Sequence, residues 1–468
     1  MENRDLVDVA PDGDVVLQVT FDTSKETLKT AKRAVAPRLG QTKTEPPPPV
    51  LKARVKKRYR VQLSVLKQHS RYFNHLLSDA RFAEGRSIET AFQQLSLKGV
   101  TPAEADPNDL PVVEIHEDDE ASKSVGQDTA FEDLMRILHR KPTVTKPVTM
   151  HYLAMIAVLA DRFDCTALVS KWLNVSKYKW QDTKARASGS KDDGPALTEA
   201  SEDTLRQKIL VSWLLDQPLR LQAATRELIM YGSRRWAASE EGEENFSTAA
   251  WWDLPEGLEG ELHYRRECIL NTIASIQRHF FSLYTSRTKL QCQKGYENST
   301  ACDSYQLGEM IRFFTGRGLL FLVDFSSNSL DAIKDSATTD INHIITVLKQ
   351  CPSYQIDKNH TNCGLRTRLM PILEYIEARL SSNAIAISRS GWATDREAAS
   401  WAPKGEAKAE NKKTFAFTRS AYSDQRLRYG GMIGTESIAR DLFTANEWDW
   451  TPQDREATKD GFGNWRYT

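Results

Sequence analysis

Val61-Gln62-Leu63-Ser64-Val65-Leu66-Lys67-Gln68-His69-Ser70-Arg71-Tyr72-Phe73 sits between a basic alternating run and a set of apolar helix patterns. Leu63, Leu66, Tyr72, Phe73, Leu76 and Leu77 recur at helical spacing, which predicts a helix over 62–78. Just upstream, in 51–61, Ala53, Val55, Tyr59 and Val61 alternate onto one face and Arg54, Lys56, Arg58 and Arg60 onto the other. That is the pattern of a strand with one solvated basic face. The same basic run also reads as a nuclear import signal or a nucleic-acid patch. Further upstream, the Asp12-Gly13 turn leads into Asp14-Val15-Val16-Leu17-Gln18-Val19, a β-branched strand. Downstream, Pro111-Val112-Val113-Glu114-Ile115-His116 reads as a strand. Phe131, Leu134, Ile137 and Leu138 mark a short amphipathic helix, 150–163 a more buried one and 164–173 a third.

Between these elements the sequence turns polar. Residues 23–49 are rich in Lys, Thr, Ala and Pro and close on Pro46–Pro49, which fits neither a helix nor a central strand, so they read as an exposed insert. A second polar insert is read over 90–109, and a linker over 176–200. Helical patterns return over 202–216, 218–236, 256–285, 304–315 and 365–381. From 388 to 468 Lys, Ala, Glu, Ser and Asp dominate, and a largely irregular tail is expected despite Trp392, Trp401, Trp448, Trp450 and Trp465. The expectation is an α+β protein: a small mixed sheet capped by helices over 11–175, a mostly helical region over 201–387, and a loosely ordered tail. The sequence carries no internal repeat.

Lys plus Arg and Asp plus Glu each number 63, so no overall field draws in nucleic acid or an anionic membrane. The longest apolar runs, 152–160 and 318–323, are too short to span a bilayer, and Met1-Glu2-Asn3-Arg4-Asp5 has no apolar core of a secretory leader. A location in the cytosol or nucleus is expected. Six cysteines in 468 residues are too sparse for a disulfide framework and are expected as thiols or metal ligands.

Cys292, Cys302, His360 and Cys363 are candidate metal ligands, spaced as Cys-x9-Cys and then His-x2-Cys. Thiolates and an imidazole suit tetrahedral zinc, and four protein ligands make a closed structural site. A metal would explain how 291–302 and 351–363, poor in apolar residues, stay ordered. Cys351 is a replacement ligand in this reading. The other reading of the same residues is buried free thiols and an exposed histidine. Cys165 and Cys268 fall inside helical patterns and read as core. There is no Gly-rich phosphate loop and no Gly-x-Ser-x-Gly elbow, so no enzymatic activity is expected.

The order of elements carries a resemblance. The strand at Asp12-Gly13-Asp14-Val15-Val16, the basic strand, the 61–73 helix, Phe82-Ala83-Glu84, the strand at 112–115, Ala130–His139 and Leu153–Cys165 together resemble the BTB/POZ domain in its divergent filamentous-fungal form. The resemblance covers about 11–175. Residues 251–390 also resemble the C-terminal region of fungal BTB-containing proteins, which carries no role to transfer. The resemblance implies a protein-interaction module that forms homodimers through apolar helix faces and scaffolds partners. In BTB adaptors for cullin ubiquitin ligases, an apolar-x-Glu motif follows the Ser-x2-Phe helix. Phe82 and Glu84 stand in that place, as an apolar plug and a charge-assisted acceptor, or else as a plain helix end with a core Phe. Three functions are thus in view: a self-associating interaction module, a substrate adaptor for a cullin ligase, and a nuclear regulator that contacts nucleic acid through 52–60. Charge balance and the lack of a finger or helix-turn-helix pattern argue against the last.

Overall fold

The computed structural model describes residues 6–35, 51–183, 197–237, 249–320, 338–403, 413–417 and 435–451, apart from 80, 147, 293 and 296. The chain divides into two compact units. One comprises Met1–Thr183, Asp203–Leu221 and Asn245–Pro255; the other comprises Lys184–Glu202, Gln222–Glu244 and Glu256–Thr468. No described helix is long and apolar enough to cross a membrane.

The first unit begins with β1 (Leu6–Asp8), β2 (Val15–Asp22), helix α1 (Lys25–Val35) and β3 (Arg54–Val61). Helices α2 (Leu63–His69), α3 (Arg71–Ser78) and α4 (Ala83–Leu97) follow. Then come β4 (Val112–Asp118), α5 (Gln127–Leu138), α6 (Met150–Arg162) and α7 (Thr166–Ser176). The sheet has the order β1-β3-β2-β4. β2 and β3 are antiparallel, from Val15 opposite Val61 to Asp22 opposite Arg54. β4 runs parallel to β2 and β1 parallel to β3. The β2–β3 pair needs a close approach at its closed end, because a Cβ on Gly13 would stand 2.7 Å from the Val61 carbonyl oxygen.

Alternation sends Val15, Leu17, Val19 and Phe21 of β2, with Tyr59, Val61, Val113 and Ile115, into a core shared with α5, α6 and α7. An aromatic column runs through it. Tyr59 meets Phe131 at 5.1 Å, Phe131 meets Phe163 at 5.5 Å, and Phe163 stacks on Phe73 at 5.2 Å. The opposite face of β2 is covered as well, where Val16 packs with Leu95, Ala105 and Leu110. The expected polar insert at 90–109 is therefore the end of α4 and an ordered loop, which contributes Leu95 and Ala105 to the seal over Val16. The basic face of β3 is not fully solvated either. Arg60 is buried and donates to the carbonyls of Gly13, Ala103 and Ala105 at 2.9, 3.1 and 3.2 Å, and Arg58 donates to Pro107 and Asn108. These guanidinium forks satisfy loop carbonyls that have no strand partner.

The insert expected at 23–49 contains α1. Asp119 accepts from the Ser24 N–H and hydroxyl at 3.0 and 2.9 Å and from the Thr27 hydroxyl, which fixes its first turn, and Leu28 is buried. Residues 36–50 lie outside the described residues. The helix expected over 62–78 is two helices, because Ser70 is extended (φ −131°, ψ 122°). Its buried hydroxyl accepts from the Phe73 N–H at 3.0 Å and donates to the Phe163 carbonyl at 2.6 Å. It thus caps α3 and ties it to the end of α6.

The first unit also extends past the expected boundary at 175. Leu210, Val211 and Leu215 join its core, and Asp203 accepts from the indoles of Trp251 and Trp252 at 2.6 and 2.8 Å. Within the expected linker, Trp180 lies under Arg220 at 5.5 Å; residues 184–196 lie outside the described residues. These contacts come from α8 (Glu199–Leu214) and the start of α9 (Pro218–Tyr231), within which the two units divide.

The second unit is built on α10 (Leu258–Thr285), α11 (Ser299–Gly316), α12 (Ile341–Lys349) and α13 (Leu365–Ser381). Two adjacent arginines of α10 are buried. Arg265 pairs with Glu261 at 2.6 Å and donates to the carbonyls of Ile385, Ala386 and Ala399. Arg266 donates to those of Ile229, Met230 and Thr339. The expected irregular tail is ordered where it is described. It forms α14 (Arg389–Thr394), α15 (Arg396–Ala399), β5 (Thr414–Ala416), α16 (Thr435–Phe443) and β6 (Glu447–Asp449). β5 and β6 pair in parallel. Trp392, Trp401 and Trp450 are buried: Trp401 stacks on Phe443 and Trp450 donates to Ser275 at 3.0 Å. Large aromatic areas outweigh the polar composition between them.

Ser70→Ala removes both the cap of α3 and its tie to Phe163. It is expected to lower the unfolding free energy of the first unit by about 1–2 kcal/mol in urea denaturation. A change below about 0.5 kcal/mol, the scale of an ordinary surface substitution, would contradict the assignment.

Candidate metal centre and partner surface

Cys292, Cys302, His360 and Cys363 converge. Their ligating atoms all lie within 4.8 Å of one another, although they come from three separate segments. Cys292 is in the loop after α10, Cys302 is in the first turn of α11, and His360 and Cys363 are in the loop before α13.

Local chemistry sets each of them. Asp303, one residue beyond Cys302, accepts from the backbone N–H groups of Gln291 and Cys292 at 2.6 and 2.9 Å, folding that loop back onto α11. Asp357 accepts from the Asn359 N–H at 2.7 Å, and its carbonyl accepts from the His360 N–H at 3.2 Å, making the turn that presents the imidazole. Gly364 follows Cys363 where the chain presses on its neighbour, since an added Cβ would stand 2.9 Å from the Tyr354 carbonyl oxygen. Arg368 of α13 reaches across to the Gln291 side chain and carbonyl at 2.7 and 3.1 Å.

Within the cluster, Cys292 Sγ lies 3.3 Å from His360 Nδ1 and 3.8 Å from Cys363 Sγ, and Cys363 Sγ lies 3.9 Å from His360 Nδ1. The sulfurs are far outside disulfide distance. His360 Nε2 is 2.8 Å from Asn298 Oδ1. An amide oxygen only accepts, so Nε2 carries the proton and Nδ1 turns its lone pair to the sulfurs. Asn298 in turn donates to Asp357 at 3.1 Å. Burial raises the Cys292 thiol, but the hydrogen bonds around its sulfur, that of the Lys294 N–H first among them, outweigh it and bring the thiol down to about 7. Burial, with the neighbouring sulfurs Cys292 and Cys363, pushes Cys302 up to about 12. The expected exposed histidine is not found: His360 is fully buried. Cys351 is not in the cluster. Its buried thiol faces the Pro352 carbonyl at 3.7 Å, and burial raises it to about 11. Cys165 and Cys268 are both buried; Cys268 lies within α10, whereas Cys165 stands just before α7 rather than inside a helix.

Two chemistries fit such a set. Cys292, His360 and Asn298 have the connectivity of a thiolate–imidazole–amide triad. Against that, Cys292 and His360 are both buried, and two more thiols crowd the sulfur a substrate would have to reach. Three thiols and an imidazole with no open position are a donor set for a tetrahedral metal. The sequence pointed to the four donors but not to Asn298, Asp303 and Asp357, whose orienting roles leave no spacing signal.

The second candidate site lies on the first unit. Phe82 is 44% exposed and Tyr72 39% exposed, so Phe82 is not a core residue. Phe82 precedes α4, held by its N–H to the Asp79 carbonyl at 3.0 Å, and Arg81 chelates Asp79 alongside. Glu84 follows in the first turn of α4. Burial raises the Tyr72 hydroxyl, with Arg162 opposing and Glu117 and Glu84 adding to the rise. Beside them a cavity of about 200 Å³ is lined by residues including Glu117, Met155, Leu159, Asp161 and Arg162. The Glu117 carboxyl is buried, with Arg162 Nε 3.2 Å from it.

No family model, no curated protein and no solved structure matches this chain.

Burial pushes Glu117 up from the ordinary carboxyl range to about 7, with Arg162 opposing and Asp118 adding to the rise. A raised carboxyl favours the protonated fold. Its contribution is therefore complete below the ordinary value and is lost as pH rises through about 7. Glu117→Gln is expected to leave stability at pH 5 nearly unchanged and to raise it at pH 8 by about 2–3 kcal/mol in urea denaturation. An equal effect at both pH values would contradict this.

Proposed function

We propose that this chain is a non-catalytic protein-interaction protein whose first unit is a BTB/POZ-type module that self-associates and scaffolds partners. What supports the family reading is topology. Among β1–β4 and α1–α7, the antiparallel β2–β3 pair, the helices after β3, the strand β4 parallel to β2, and then α5 and α6 come in the order in which the resemblance places its strands and helices. The observation that carries the functional reading is the outward position of Tyr72 and Phe82, while Phe21, Tyr59, Phe73, Phe131 and Phe163 are buried. Two exposed aromatics, Tyr72 at the start of α3 and Phe82 just before α4 with Glu84 beside it, offer anchors for another protein.

The same observation favours a second, narrower reading, an adaptor for a cullin-type ubiquitin ligase, with Phe82 as the plug and Glu84 as the polar partner. The nucleic-acid reading gains no support. Arg58 and Arg60 hold the 103–108 loop, Arg54 pairs with Asp22 at 2.6 Å, and Lys57 pairs with Asp128 at 2.7 Å.

Light scattering on the purified chain is expected to give a dimer at micromolar concentration; a strict monomer removes the self-association. For the adaptor reading, Phe82→Ala and Glu84→Ala are each expected to weaken cullin capture in a pull-down by about tenfold or more, the loss of a central contact. Failure of the unmutated chain to capture a cullin removes that reading and leaves the first intact.

A further inference from the structure

Across residues 352–363 the single buried side chain is His360. A loop whose other side chains are half or fully exposed has no apolar reason to hold an imidazole inside the protein. That imidazole turns toward three sulfurs, two of them buried. Thiols make weak hydrogen bonds and do not by themselves draw three chain segments to one point.

We propose that Cys292, Cys302, His360 and Cys363 bind one zinc(II) ion as a closed structural site that ties the loop after α10 and the start of α11 to the loop before α13. This inference is independent of the interaction reading. A tetrahedron with Zn–S of about 2.3 Å and Zn–N of about 2.0–2.1 Å has S···S edges of about 3.8 Å and S···N edges of about 3.5 Å. The Cys292–Cys363 separation of 3.8 Å and the sulfur–Nδ1 separations of 3.3 and 3.9 Å match those edges. Cys302 closes the fourth corner from within 4.8 Å.

His360 coordinates through Nδ1, because Asn298 holds the proton on Nε2. Asn298 is therefore a positioning residue. The three cysteines bind as thiolates and release their protons to solvent, leaving a site of net charge −1 with the Zn²⁺. No coordination position stays open for water or substrate, so the ion supplies folding energy and no chemistry. Three thiolates with one imidazole select zinc over hard oxygen-seeking cations.

The test uses the full chain, produced with zinc in the medium and purified without chelator. Elemental mass spectrometry is expected to find one zinc per chain. Cobalt(II) exchanged into the protein is expected to give thiolate-to-metal charge transfer and the strong visible bands of a tetrahedral site. Cys302→Ser and His360→Ala are expected to lose the stoichiometric zinc, whereas Cys351→Ser and Cys268→Ser retain it. Asn298→Ala is expected to keep one zinc but to bind it about 10–100-fold more weakly in chelator competition. Because ligand variants of a structural site can fail to fold, the cobalt spectrum of the unmutated chain decides on its own. A folded, metal-free chain without that spectrum overturns the proposal. So does iron in place of zinc, or stoichiometric alkylation of Cys292 in the folded, untreated protein, which would favour the thiolate–imidazole–amide reading.

Discussion

β2 buries a full apolar face, and Val16 on its other face, whose remaining residues Gln18, Thr20 and Asp22 are polar, is buried too, so the strand needs a cover on both sides. Val15, Leu17, Val19 and Phe21 take theirs from the helices after β4, and Val16 takes its cover from Leu95, Ala105 and Leu110. The second cover is a short, polar loop with little adhesion of its own. It is held by Arg60 and Arg58, which satisfy its carbonyls and side chains from the neighbouring strand. The cationic residues of β3 are thereby drawn into the structure. With the inner aromatics committed to the column between the sheet and α6, Tyr72 at the start of α3 and Phe82 before α4 are left exposed. The outward position of these two aromatics is a consequence of how the sheet is sealed.

The second unit solves a different problem. α10, α11 and α13 bury ordinary apolar faces, but the loops at 286–290 and 352–359 are polar and mostly exposed. Carboxylates do the local folding: Asp303 turns the first loop and Asp357 the second. Each turn then points a sulfur or a nitrogen at the same spot. Long-range arginine contacts, Arg368 to Gln291 and Arg366 to the carbonyls of Lys349 and Cys351, draw the loops against α13. The convergence of four soft donors is thus built by hydrogen bonds around it, as an outer shell builds a metal site.

Where periodicity was long and clean, the elements were readable: 150–163 and 365–381 are helices within a residue or two, and the three longer strands lie where alternation put them. Where a break depends on one side chain, they were not. Nothing in the spacing of 62–78 announces that Ser70 will leave the helix, because its reward is a bond to Phe163, 93 residues away. Polar composition misled in the same way at α1, at the end of α4 and in the tail, where Leu28, Leu95 and Trp450 carry the burial for many polar neighbours. Asp203 shows why the boundary moved, since two indoles about 50 residues downstream share its carboxylate.

The class of the fold, an α+β unit followed by helices, is legible in the chain alone, because hydrophobic period is a local property of neighbouring residues. So is the set of candidate donors, because few residue types offer a thiol or an imidazole. Proximity came only with packing. Cys292 and Cys363 are 71 positions apart in the chain and 3.8 Å apart in space. The tautomer of His360, the outward turn of Phe82 and the inward turn of Arg60 were decided there too. Each depends on a partner that is distant in sequence and is fixed only once the chain has packed.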